Sequence, residues 1–225
     1  MVSRLRSRML FGVTPPIELH PAVADIKPTN ILDTGVRRKL RAWNLSGCVV
    51  FHHFGIPCRT LTSARRNDGG PRPLRSNYYP EGLPELHEFE AEKVRNANDL
   101  IASTLEIIAD VVAAKFHFSI ENPLFSFLWR LASVRQAFRH WRHVSVCLDF
   151  CMFGAPWRKP TRLETNFPGL RVLAKRCPGR AVHGHRHVVL AGREWDAARQ
   201  RLVWKTTAAQ VYPDLFSRAF AKAAR

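Results

Sequence analysis

Acidic residues are scarce in this chain of 225 residues: 18 Asp and Glu stand against 35 Lys and Arg, giving a formal charge of +17 and an isoelectric point near 10.8. A surface this positive gathers phosphates at long range, so nucleic acid leads as the expected partner and anionic membrane follows. Long apolar runs are missing too. Residues 1–11 carry Arg4, Arg6 and Arg8 but no secretory core, and nowhere is there the run of about 20 apolar residues that a spanning helix needs. The chain reads as soluble and intracellular, in the nucleus or cytoplasm of a host cell, with no membrane partner. Cysteines number only five, an odd count without a secretion signal, which argues for reduced thiols rather than a disulfide framework. Repeats and low-complexity tracts are absent. Apolar residues are not lacking: 46% hydrophobic and 10% aromatic content suffices for a core and excludes disorder as a description of the whole chain. The length allows one larger domain or two small ones.

Residues 1–36 read as an irregular segment. Pro15, Pro16, Pro21 and Pro28 interrupt any helix, and residues 22–26 form at most a short strand ending in Asp25. A short amphipathic helix is expected over 36–45, stopped by Gly47, then a buried strand over 48–54 that runs into Ile56-Pro57-Cys58. Residues 59–82 are polar, basic and rich in Gly and Pro, a long loop of the kind that is usually functional or disordered. Apolar residues at helical intervals from Leu86 to Val112 predict a long amphipathic helix over 84–115. A strand over 116–120 follows, ending in Glu121-Asn122-Pro123, then helices over 124–131 and 133–141 and a strand over 144–150. This alternation is the grammar of an α/β fold with a parallel sheet, where chemistry collects at the carboxyl ends of strands. From Gly154 on the texture changes to strands and loops, with a small basic region around 155–205 and a closing amphipathic helix over 212–224.

Cys58 follows a proline at a strand end and precedes a basic loop containing Arg59, Arg65, Arg66, Arg72 and Arg75. Its thiolate is the reactive form, and cationic neighbours favour it. Cys58 also reads as a small core residue, since free cysteine is among the most buried residue types. Glu121 ends the next strand, in the same crevice if the two strands are neighbours. A thiolate paired with a carboxylic acid suits addition to an electron-poor ring, the acid serving the ring nitrogen that gathers charge. The alternative role for Glu121 is a carboxylate at a helix N-terminus.

Ile56-Pro57-Cys58 with Thr60, and Glu121-Asn122-Pro123 one long helix later, resemble the Pro-Cys and Glu-Asn motifs of the DNA (cytosine-5) methyltransferases. The run from Lys159 to Asn166 after Asp149-Phe150-Cys151-Met152-Phe153-Gly154 looks like the variant in compact phage-type and mobile-element members. The ordered set covers residues 37–225. The resemblance implies a Rossmann-like methyltransferase sheet, S-adenosylmethionine as cofactor, and DNA as substrate. It implies Cys58 as the nucleophile that adds to ring carbon 6 of a flipped cytosine. Glu121 is then the acid at ring nitrogen 3, and Arg162 the basic residue supporting the base site. Asn122 would shape the turn. Asp25 and Asp33 align loosely with acids that hold the ribose and the adenine side of the cofactor, while the five loop arginines and Lys159 would anchor phosphates, offsetting the cost of extruding a base.

Two departures stand out. Residues 1–24 hold no Phe-x-Gly-x-Gly type cofactor loop; Phe11-Gly12-Val13-Thr14-Pro15 has one glycine and a proline close behind. Arg59 and Pro123 also replace commoner residues. A cofactor-free relative that only binds nucleic acid is therefore the alternative. A rival from another class is metal chemistry: Cys147, Cys151 and Cys177 with His183, His185 and His187 contain enough donors for zinc, but their spacing matches no close-paired knuckle. The His-Gly-His-Arg-His run then reads as a phosphate-contacting loop, and no metal is assigned.

Overall fold

The computed structural model describes residues 30–47, 49–65, 70–179, 186–197 and 200–224. Asp25, Arg66, His183, His185 and the expected strand over 22–26 lie outside them. The described chain divides into two compact units: residues 30–145 with 163–168, and residues 146–162 with 169–224. Its class is mixed α/β, built on a four-stranded mixed sheet of order β1-β2-β4-β3.

The first unit begins with α1, Thr34–Leu45. Asp33 caps it, one carboxylate oxygen accepting from the Gly35 and Val36 amides at 2.7 and 3.1 Å, which satisfies two of the donors every helix start leaves open. Strand β1, Phe51–Gly55, leads through a long loop into α2, Glu88–Ala113. Helix α2 buries Val94, Ile101, Thr104, Ile108 and Val111, the inward stripe set by the 3.6-residue repeat. Strand β2, His117–Pro123, pairs parallel with β1, so that Gly55 lies opposite Glu121. Five successive β2 residues, Phe118 to Asn122, are buried, as expected of a strand covered on both faces. The apolar core gathers Leu40, Leu61, Ile101, Ile108, Val111, Phe118, Ile120, Leu128, Leu131 and Val134.

A helix was expected over 124–131. Only a 3-10 turn, Phe127–Arg130, forms there, opened by Ser126, whose hydroxyl accepts from the Leu128 amide. Helix α3, Ala132–His140, follows, then β3, Val144–Asp149, and, after a 3-10 turn at Phe150–Phe153, β4, Pro160–Thr165. Strand β4 lies between β2 and β3, so the third strand of the expected succession is not β2's neighbour.

In the second unit, α4, Asp214–Ala223, packs Phe216 and Phe220 with Phe150 and Phe153; the Phe216 ring centre is 5.2 Å from that of Phe150 and 5.5 Å from that of Phe153. Strands β5, Arg193–Asp196, and β6, Arg201–Trp204, form a separate antiparallel pair. Among the described residues no helix is long and apolar enough to cross a membrane.

Candidate functional site

Parallel pairing of β1 and β2 brings both strand-end motifs of the sequence to one edge of the first unit. Two sets of hydrogen bonds join the loops there. The Asn122 side chain donates to the Ile56 carbonyl at 2.7 Å and to the Glu121 carbonyl at 3.1 Å. Five residues on from Ile56, the Leu61 carbonyl accepts from the Phe127 amide at 2.8 Å and from the Ser126 hydroxyl at 3.3 Å. Cys58 lies in the stretch between those two anchors. Its own carbonyl accepts from the Leu61 and Thr62 amides at 3.0 and 2.9 Å, closing a tight turn. Cys58 is half-buried and Glu121 buried. Arg162 belongs to the other unit.

The arginines of the long loop do different jobs. Arg59 is exposed. Arg65 is half-buried and donates to the Arg72 carbonyl at 3.2 Å. Burial pushes its guanidinium down, while the charges of Glu90 and Cys58 oppose that shift. Arg72 forks onto the Glu90 carboxylate and also reaches the Glu85 carbonyl. Arg75, expected on a phosphate-facing surface, is 1% exposed. Its guanidinium donates to the Thr60 carbonyl at 3.1 Å, the Pro80 carbonyl at 2.7 Å and the Asn98 amide oxygen at 2.8 Å, and burial pushes it down to about 10. Arg75 therefore holds the turn that carries Cys58. Gly82 lets the loop pass against α2: at φ +137°, a side chain there would start 2.8 Å from Val94 Cγ1.

Lys159, the remaining expected phosphate contact, donates to the Ala209 carbonyl at 3.1 Å, with its ammonium 4.9 Å from the Phe150 ring centre. An open cleft of about 460 Å³ lies in the first unit, lined by Asn77, Tyr78, Pro80, Trp129, Arg130 and Arg135. Its Trp129 indole donates to the Pro123 carbonyl at 2.9 Å, which ties the cleft to the end of β2. Two exposed arginines with an exposed tyrosine give both phosphate donors and a stacking face. No spacing rule links Tyr78 to Arg130, so only the fold reveals this surface.

The resemblance assigns Asp25 and Asp33 to S-adenosylmethionine. Asp33 is committed to capping α1, and Asp25 lies outside the described residues. A scan of protein-family models, a search of curated proteins and a search of solved structures each return no match to this chain.

Proposed function

We propose that this chain performs the covalent chemistry of a DNA (cytosine-5) methyltransferase on an extruded cytosine, with Cys58 as nucleophile and Glu121 as acid. The observation that carries the reading is the parallel pairing of β1 and β2, which sets Glu121 at the end of β2 opposite Gly55, three residues before Cys58, with the Asn122 side chain joining the Ile56 and Glu121 carbonyls. The Rossmann-like assignment of the sheet rests on the same parallel pair. In the first step the Cys58 thiolate forms a bond from sulfur to ring carbon 6. The carbon 5–carbon 6 π pair moves to carbon 4–carbon 5, and the carbon 4–nitrogen 3 pair moves onto nitrogen 3, where Glu121 delivers its proton. Carbon 5 is now electron-rich. With no methyl donor present it takes a proton from water and gives up its original one to the hydroxide so formed; nitrogen 3 then returns its proton to the Glu121 carboxylate as the carbon 6–sulfur bond breaks, which releases the thiolate and returns cytosine with carbon-5 hydrogen exchanged. The exposed cationic cleft and the formal charge of +17 support DNA as the polyanion held.

DNA carrying tritium at cytosine carbon 5 tests this step without any cofactor. Wild type is expected to release tritium to water. Cys58→Ala should lose that release at least about 100-fold, and Glu121→Gln a comparable amount. A wild-type protein that retains DNA with steep salt dependence yet releases no tritium would overturn the chemistry, as would undiminished release by Cys58→Ala.

A further inference from the structure

The second unit brings together side chains that the sequence keeps far apart. Cys151 comes from the 3-10 turn after β3, Cys177 from the stretch beyond the turn at Pro168–Leu173, and His187 from a third segment. One donor atom from each lies within 4.8 Å of the other two. The Cys177 sulfur is 3.6 Å from His187 Nε2. Zinc–sulfur and zinc–nitrogen bonds of about 2.3 and 2.0 Å at a tetrahedral angle put the two donors about 3.5 Å apart. Both cysteines are buried and the histidine is half-buried, so the cluster is largely screened from water.

The backbone on either side is fixed. Asp149, fully buried, accepts from the Cys177 amide at 2.8 Å, from Arg176 Nε at 3.0 Å and from Arg158 Nε at 3.2 Å. Beyond His187, the Val188 amide donates to the Pro156 carbonyl at 2.8 Å. Outer groups that hold ligands in place in this way are what a metal site needs beyond its ligands. Two thiols and an imidazole in an enclosed, tetrahedral-sized space are the donor set of zinc rather than of magnesium or calcium, which take oxygen.

We propose that Cys151, Cys177 and His187 bind one zinc ion, which ties the segments around Cys177 and His187 to the end of β3. This site is separate in residues and chemistry from the Cys58–Glu121 pair, and neither stands on the other. The competing use of two close thiols is a disulfide, and none joins these cysteines.

The test uses the full chain, expressed with zinc and gel-filtered, then assayed by elemental mass spectrometry. Wild type should carry about one zinc per chain. Cobalt added to the stripped protein should give a thiolate charge-transfer band and the intense visible bands of a tetrahedral ion. Cys177→Ser and His187→Asn should each lose most of the metal and shift those bands, while Cys147→Ser, a half-buried position outside the cluster, should keep both. His187→Asn serves as the informative variant if Cys177→Ser fails to fold. A metal-free wild type with no cobalt spectrum overturns the proposal. So does a Cys151–Cys177 disulfide in intact-mass analysis of freshly purified protein, or metal content that Cys177→Ser and His187→Asn leave unchanged.

Discussion

The first unit holds a continuous apolar core from Leu40 to Val134 and a buried arginine, Arg75, whereas in the second a buried carboxylate, Asp149, pairs with arginines half in solvent. Arg75 and Asp149 are opposite in charge. Arg75 organises backbone carbonyls, and so fixes the turn of the proposed nucleophile. Asp149 organises an amide and two guanidinium groups, and so fixes the stretch of the proposed zinc ligand. In each case a single buried charge sets the course of a loop whose own composition is too polar to be placed by apolar packing.

Removing the carboxylate should have the larger effect. Asp149→Ala leaves the Cys177 amide buried without its acceptor and takes the counter-charge from Arg158 and Arg176. Breaking a buried ion pair from one side costs about 3–5 kcal/mol, and about 4 kcal/mol is expected from urea unfolding. A loss under about 1 kcal/mol would remove Asp149 from its organising role and end the comparison.

Arg75→Met is expected to cost about 3 kcal/mol, because the methionine covers the apolar part of the site while the Thr60 and Pro80 carbonyls lose their donor. Hydrogen exchange offers a sharper reading than total stability. Protection at the Leu61 and Thr62 amides, which close the turn over Cys58, should fall further than protection in α2. Equal loss in both places would make Arg75 a general core residue rather than the holder of that turn.

These two residues also mark what sequence can and cannot disclose. The parallel pair β1–β2 was legible because an apolar run, a polar interruption at Pro-Cys and another at Glu-Asn-Pro bracket one long amphipathic helix. Arg75 was not: in a Gly- and Pro-rich basic loop a buried arginine reads the same as an exposed one, and Asn98 lies on a different element. The strand order was hidden for a similar reason, since nothing in residues 160–165 says that they lie between β2 and β3. Cys151, Cys177 and His187 are each recognisable as donors. What sequence lacks is a local spacing that groups them, because the segments that carry them meet only through tertiary structure. The helix expected over 124–131 fell to the capping chemistry of Ser126 after Pro123, which leaves room for a single 3-10 turn.

The smallest expected effect concerns acid, and it distinguishes the first unit by its histidines. Burial pushes His52 and His53 on β1 down to about 4 from the ordinary 6.5. His53 Nδ1 lies 2.7 Å from the Ser119 hydroxyl, and the His52 ring stacks on Phe54 at 6.0 Å between centres. Between about pH 6.5 and pH 4 the unfolded chain therefore carries protons that the folded chain does not. Stability rises with pH wherever the unfolded state binds more protons, so the contribution is intact above about pH 6.5 and drains away as pH falls toward 4. Discounted for partial exposure, the pair accounts for roughly 2 kcal/mol. Urea midpoints at pH 7.5 and pH 5 read it directly. His52→Phe keeps the stacking on Phe54 and removes one titrating ring, so its midpoint should move less between the two pH values than that of wild type. An unchanged pH dependence in His52→Phe would show that acid acts elsewhere, and would leave the buried charges, Arg75 and Asp149, as what separates the two units.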